Sequence, residues 1–168
     1  MKNIGLFLAM LSCCAVAPAQ ENAPAAATAP ATAMAKAIEQ TNFITAHKPS
    51  TEAKYYMFLC SASWCSPCRY VMPKIVNEYP NMMANKDVEI ILLGLDHSPE
   101  FTRKYLEKYN APFAALQYKS DEGLKLPGFP RDIMGIPHIV VVDAEGKLLY
   151  RGHAMRYADW KTEIEKKK

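Results

Sequence analysis

A continuous apolar run, Tyr55 to Ser61 (YYMFLCS), leads within four residues into Trp64-Cys65-Ser66-Pro67-Cys68. An apolar run without alternation is expected of a central strand covered on both faces. Helical residues follow from about Ser66 to Tyr79, with Pro73 inside. A proline there removes one backbone hydrogen bond and should kink the helix. Two cysteines three apart thus fall where a buried strand ends and a helix begins.

The remaining pattern extends this start. Val88 to Leu95 (VEIILLGL) reads as a second buried strand. Ser98-Pro99-Glu100 reads as a helix start, with Ser98 as N-cap, Pro99 at the first position and Glu100 favourable to the helix dipole. That helix should run to about Tyr109. Residues 110–135 are rich in loop formers, with one helical turn expected around Asp121 to Leu124. His138 to Asp143 (HIVVVD) and Lys147 to Arg151 (KLLYR) form a hairpin about Ala144-Glu145-Gly146, where the glycine suits a positive φ. A closing helix spans Tyr157 to Lys166. The order β-α-β-α-β-β-α predicts an α/β fold, a mixed central β-sheet flanked by helices on both faces.

A chain of 168 residues suits one domain. Residues 1–19 read as a signal peptide. Lys2 is a positive start, Ile4 to Val16 an apolar stretch too short to span a bilayer, and Ala17-Pro18-Ala19 a small-residue cleavage site. An alternative is a lipid anchor at Cys13, since Met10-Leu11-Ser12-Cys13 resembles a bacterial lipoprotein box. Residues 20–35, rich in Ala, Pro and Thr, are expected to be a flexible linker, having too little apolar surface to offset ordering entropy. The folded domain is expected over 36–168. Residues 36–47 should form a short helix that packs Ile38, Phe43 and Ile44. The chain carries 20 basic and 17 acidic residues, and the tail Lys166-Lys167-Lys168 is its one like-charge run. That balance argues against a nucleic-acid partner, which needs a clustered basic face.

The chemistry follows from the cysteines. With Cys13 and Cys14 inside the leader, Cys60, Cys65 and Cys68 remain. The first N–H groups of a helix lack intrahelical partners and carry partial positive charge. A thiolate at Cys65 is stabilised there, and its pKa should fall from about 8.5 towards roughly 7 or below. Cys68 lies one turn on. Attack by Cys65 on a disulfide gives a mixed disulfide that Cys68 then resolves. A zinc site would need two further ligands, and no second CxxC or suitably spaced histidine pair supplies them. A purely structural bridge across so short a loop gains little from chain entropy. Cys60, inside the first strand, reads as a buried small hydrophobe.

Gly135-Ile136-Pro137 directly precedes the His138 strand. Proline there cannot donate to the ladder. A cis Ile136-Pro137 bond would account for it and would leave the Ile136 backbone free to pair with a substrate.

With these motifs in hand, residues 50–168 resemble a thioredoxin-fold oxidoreductase. The stretch Ser61-Ala62-Ser63-Trp64-Cys65-Ser66-Pro67-Cys68-Arg69 is similar to tryparedoxins and nucleoredoxins, and also to bacterial periplasmic thioredoxin-like reductases. The resemblance implies that Cys65 is the nucleophile, Cys68 the resolving cysteine and Pro137 the facing cis-proline. Pro73 matches the family's helix-kinking proline. Trp64, Ile136 and Gly152 are implied to bind substrate, Gly152 by lining the groove. The chain departs from the pattern at two places where relatives carry a proton-relay acid: Leu59, six residues before Cys65, and Val71, three after Cys68. Glu78 is an alternative relay by nearness in sequence.

The expectation is an exported thiol–disulfide oxidoreductase, periplasmic or secreted, that reduces protein disulfides. Its partners would be a disulfide-containing protein and a redox protein that recycles the Cys65–Cys68 pair. No cofactor or metal is expected. The alternatives are a disulfide-forming oxidant, or a metal- or partner-binding module in which His138 joins the cysteines. A peroxidase would need a lone-cysteine arrangement that this pair does not offer.

Overall fold

The structure, a computed structural model, describes residues 31–84 and 87–166. The expected signal peptide, the Cys13 anchor and the linker up to residue 30 lie outside the described residues.

The elements are α1 (Ala33–Glu39), β1 (Tyr55–Ser61), α2 (Ser66–Met83), β2 (Val88–Gly94), α3 (Pro99–Lys108) and β3 (Ala114–Gln117). They continue with α4 (Asp121–Leu124), β4 (His138–Asp143), β5 (Leu148–His153), a 3-10 turn (Ala154–Arg156) and α5 (Trp160–Glu165). Five strands form one sheet in the order β3-β2-β1-β4-β5. β2 runs parallel to β1 and to β3, while β4 is antiparallel to β1 and to β5. The mixed sheet with helices on both faces is as the pattern predicted.

β1 is central, and its side chains alternate between two cores. Met57 and Leu59 pack with Val71, Met72 and Ile75 of α2, Tyr105 and Leu106 of α3, and Trp160 of α5. Tyr56, Phe58 and Cys60 pack on the other face with Met34 and Ile38 of α1 and with Leu126 and Phe129. Full burial of each large apolar side chain contributes about 1.5–3 kcal/mol, which is why the strand carries no polar face.

The structure corrects several local expectations. α1 begins at Ala33, inside the stretch expected to be a linker, and ends at Glu39 rather than near residue 47. Thr32 caps it by accepting the Ala35 N–H, and Met34 and Ile38, one turn apart, are fully buried. α2 runs past Tyr79 to Met83 and holds a second proline, Pro80. Ser98 has the extended backbone of an N-cap, but its side chain makes no capping bond. β3 emerges from the segment expected to be loop, as a four-residue edge strand.

Candidate active site

The parallel strands β1 and β2 end at the same edge of the sheet, at Ser61 and Gly94. A crevice at such an edge, where neighbouring connections diverge, is the usual binding place in open α/β sheets. Beyond Ser61 the chain makes a turn that exposes Trp64 (57% accessible) and then starts α2. Cys65 is the N-cap of that helix, and its Sγ accepts the Cys68 N–H at 3.2 Å. The sulfur therefore stands where a serine or aspartate oxygen usually caps a helix. Pro67, next in the first turn, has no N–H to compete.

Cys65 and Cys68 form a disulfide with Cα atoms 5.2 Å apart. Cys68 is fully buried, whereas Cys65 retains 6% accessibility. Both pack with Ala62, Leu95 and Ile136. The Ile136-Pro137 bond is cis, as expected, and the Ile136 carbonyl oxygen lies 3.8 Å from Cys65 Sγ. Pro137 is buried, and its carbonyl accepts the Ala154 N–H at 3.0 Å, tying the loop before β4 to the end of β5. Beside Ile136 runs an open groove of about 340 Å³ lined by Asp132, Met134, His138, Arg151 and His153.

The structure thus gathers Trp64, Cys65, Cys68, Ile136 and Pro137. Gly152 sits in β5 opposite Ile139, and a Cβ there would meet the Tyr150 hydroxyl. Its lack of a side chain makes room for that ring. Leu59 and Val71 are buried in the apolar core, so neither relay position carries an acid. Glu78 does not replace them. It is exposed on α2 beside Asn81 and Lys161, ten residues beyond Cys68, or about 15 Å along the helix axis.

Cys60 is buried, and burial pushes its thiol up to about 12, with Arg151 acting weakly against this. His138 is its cross-strand neighbour. The His138 imidazole is held below its ordinary pKa, first by burial and then by Arg151 and His153. Its Nε2 is buried without a hydrogen-bond partner among the described residues.

From the sequence, Asp96 reads only as the end of a strand before a helix start, with no role at the site. This carboxylate is 5% accessible and lies just beyond β2. Its Oδ1 accepts both the N–H and the hydroxyl of Ser63, and its Oδ2 accepts the Thr102 hydroxyl. The signal available was an aspartate two residues after a wholly buried strand, at the edge that carries the cysteines.

Comparison with known proteins agrees with this geometry. The profile of the thioredoxin-like family matches residues 52–148. Nucleoredoxin of Xenopus laevis is 26% identical over 113 residues, covering 67% of this chain and 27% of that protein. The thiol:disulfide interchange protein HelX of Rhodobacter capsulatus is 32% identical over 92 residues, covering 54% of this chain and 47% of HelX. The chain therefore spans about a quarter of the nucleoredoxin and about half of HelX. Among solved structures, tryparedoxin II of C. fasciculata superposes with a TM-score of 0.58 at 24% identity, over 75% of this chain and 89% of that one, a likeness of fold. With the matched profile covering more than half of its length, the chain belongs to the thioredoxin-like family.

Proposed function

We propose that this chain is an exported thiol–disulfide oxidoreductase that reduces protein disulfides through Cys65 and Cys68. The observation that carries the reading is the Cys65 sulfur: it accepts the Cys68 N–H at the helix start and is the more accessible of the pair. A sulfur held against a positively polarised helix start is stabilised as thiolate.

In the reduced protein, the Cys65 thiolate attacks one sulfur of a substrate disulfide. A Cys65–substrate bond forms, and the other substrate sulfur leaves as a thiolate that takes a proton. Cys68 gives up its proton and attacks Cys65 Sγ, which releases the second substrate sulfur. The substrate gains two electrons and two protons, and the protein is left with the Cys65–Cys68 disulfide. A redox partner must then return two electrons. In this reading the substrate chain runs along the Ile136 backbone, next to the groove lined by His138 and Arg151.

Two relatives support this chemistry by name: the thiol:disulfide interchange protein HelX, and the thiol-disulfide oxidoreductase ResA of Bacillus thuringiensis, 29% identical over 87 residues. Export rests on the leader-like residues 1–19, and periplasmic fractionation with sequencing of the mature N-terminus tests it. For the activity, insulin reduction is compared between the wild type and Cys65→Ser. Loss of turnover in the variant is expected. A serine variant that reduces insulin at the wild-type rate excludes the reading.

A further inference from the structure

The mechanism above uses the sulfurs and the Ile136 loop but leaves the buried carboxylate of Asp96 without a role. We infer that Asp96 is a positioning residue: it clamps Ser63 and so holds the Trp64–Cys65 segment in the geometry that thiol–disulfide exchange with a protein substrate requires.

Along the connecting segment from Ser61 to Cys65, the Leu95 N–H donates to Ser61 at 2.9 Å, the Cys65 N–H to Ala62 at 3.2 Å and the Arg69 N–H to Cys65 at 3.1 Å. Between these lies Ser63, and there Asp96 supplies the contact. Oδ1 receives the Ser63 N–H at 2.9 Å and the Ser63 hydroxyl at 2.7 Å. The Ser63 carbonyl is held in turn by Arg69 Nη1 at 3.0 Å, which links the turn to the first residues of α2. The Trp64 indole N–H reaches the Leu95 carbonyl at 3.3 Å. Residues 95 and 96 thus fix both residues that precede Cys65.

The carboxylate is itself held. Thr102 is fully buried on α3 and donates to Oδ2 at 3.2 Å, and Gln117 of β3 donates to the Asp96 carbonyl. Gly94 allows the close approach of α3, since a Cβ there would collide with the Thr102 side chain. Hydrogen bonds to an ionised, largely dry carboxylate are stronger than neutral ones. The assembly therefore runs from β3 and α3 through Asp96 to the turn in front of the nucleophile. Misplacement of a reacting group by about 1 Å can cost on the order of a hundredfold in rate.

An isosteric amide separates hydrogen bonding from charge. In Asp96→Asn the amide oxygen can keep both Ser63 bonds. The amide NH2 can donate to Thr102, whose hydroxyl then turns to Gln117 Oε1, 3.4 Å away. Asp96→Ala removes every one of these contacts, and Ser63→Ala removes only the hydroxyl bond.

The experiment compares the three variants with the wild type in kcat/KM for insulin reduction, in the iodoacetamide rate of Cys65, and in the fluorescence change on reduction. That change reports the surroundings of Trp64, which precedes Cys65 in the chain and whose indole N–H holds the Leu95 carbonyl; a Trp64→Phe control identifies it against buried Trp160. Asp96→Ala should lower kcat/KM by roughly tenfold or more and lose the redox-linked Trp64 signal. Ser63→Ala should fall between it and the wild type, and Asp96→Asn should recover to within about threefold. If Asp96→Ala fails to fold, the ordering of Ser63→Ala below Asp96→Asn decides the question. A folded Asp96→Ala with wild-type kcat/KM overturns the inference. So does loss of rate with the Trp64 signal unchanged. An Asp96→Asn as impaired as the alanine variant also overturns it, assigning the effect to charge.

Discussion

The Cys65 sulfur and the Ile136 carbonyl oxygen stand 3.8 Å apart, the one at the start of α2 and the other in the loop before β4. On the proposed mechanism, a substrate cysteine bonded to Cys65 lies against the Ile136 backbone, which can pair with it as an added strand segment. Cys68 is fully buried and bonded to Cys65.

That arrangement predicts the behaviour of Cys68→Ser. Cys65 can still attack, but nothing releases the captured chain. The variant should lose multiple turnover and accumulate a one-to-one mixed disulfide with its substrate. Non-reducing electrophoresis followed by peptide mass mapping checks this. A bond mapping to Cys60 would contradict the assignment of Cys65.

Selective alkylation follows from burial. Among Cys60, Cys65 and Cys68 of the reduced, native protein, iodoacetamide should label Cys65 first. Cys60 is buried with its thiol raised to about 12, and Cys68 is equally enclosed. The pH dependence of Cys65 labelling should have its midpoint below the ordinary value of about 8.5, because the helix start favours the thiolate. Denaturation should expose Cys60 and Cys68 to the reagent. Labelling followed by mass spectrometry reads all three positions.

The cysteine motif, the strand before it and the proline before β4 were legible because each is a local signal. A long apolar run, a CxxC at a helix start and an X-Pro at a strand start do not depend on distant residues for their meaning. The structure adds what only tertiary contacts can supply. Ala114–Gln117 has two alanines, which favour strands weakly, and becomes β3 through pairing with β2. Ala33 to Ala35 fall in the stretch read as linker, yet Met34 joins Ile38 in the core against β1 and β4. Glu89 falls in a run read as a buried strand, but what makes its burial and that of Asp96 tolerable is apparent only once Ser50, Tyr79, Ser63 and Thr102 are seen around them.

Glu89 offers a stability test remote from the cysteines. It is 1% accessible, faces Tyr56 across β1, and lies five residues before the end of β2, about 16 Å from the active edge. Its carboxylate accepts the Ser50 N–H at 3.1 Å and the Tyr79 hydroxyl at 2.7 Å, with His47 at 3.7 Å. Glu89→Ala leaves both donors without an acceptor and should cost about 2–4 kcal/mol. Glu89→Gln keeps one carbonyl oxygen and should cost less. Urea midpoints measure the loss, and the exchange rate per folded molecule should stay at the wild-type value.

His138 sets a pH dependence of stability with a definite sign. Burial holds its imidazole below the ordinary value, the charges of Arg151 and His153 add to this, and Asp132 acts against them. The folded protein therefore takes up this proton less readily than the unfolded chain. Between the lowered folded value and the ordinary value of about 6.5 the unfolded state binds more protons, so stability rises with pH across that window. The contribution is fully present above about pH 6.5 and is lost as pH falls through the folded value. Asp132 and Glu122, held low by Arg151 and Lys125, act in the same direction, but only nearer the ordinary carboxylate range of about 4. Urea midpoints taken at about pH 5 and about pH 7.5 should differ more for the wild type than for His138→Gln, which keeps a polar side chain at this place without a titrating ring. Equal slopes in the two proteins would show that the folded state admits the proton as easily as the open chain does.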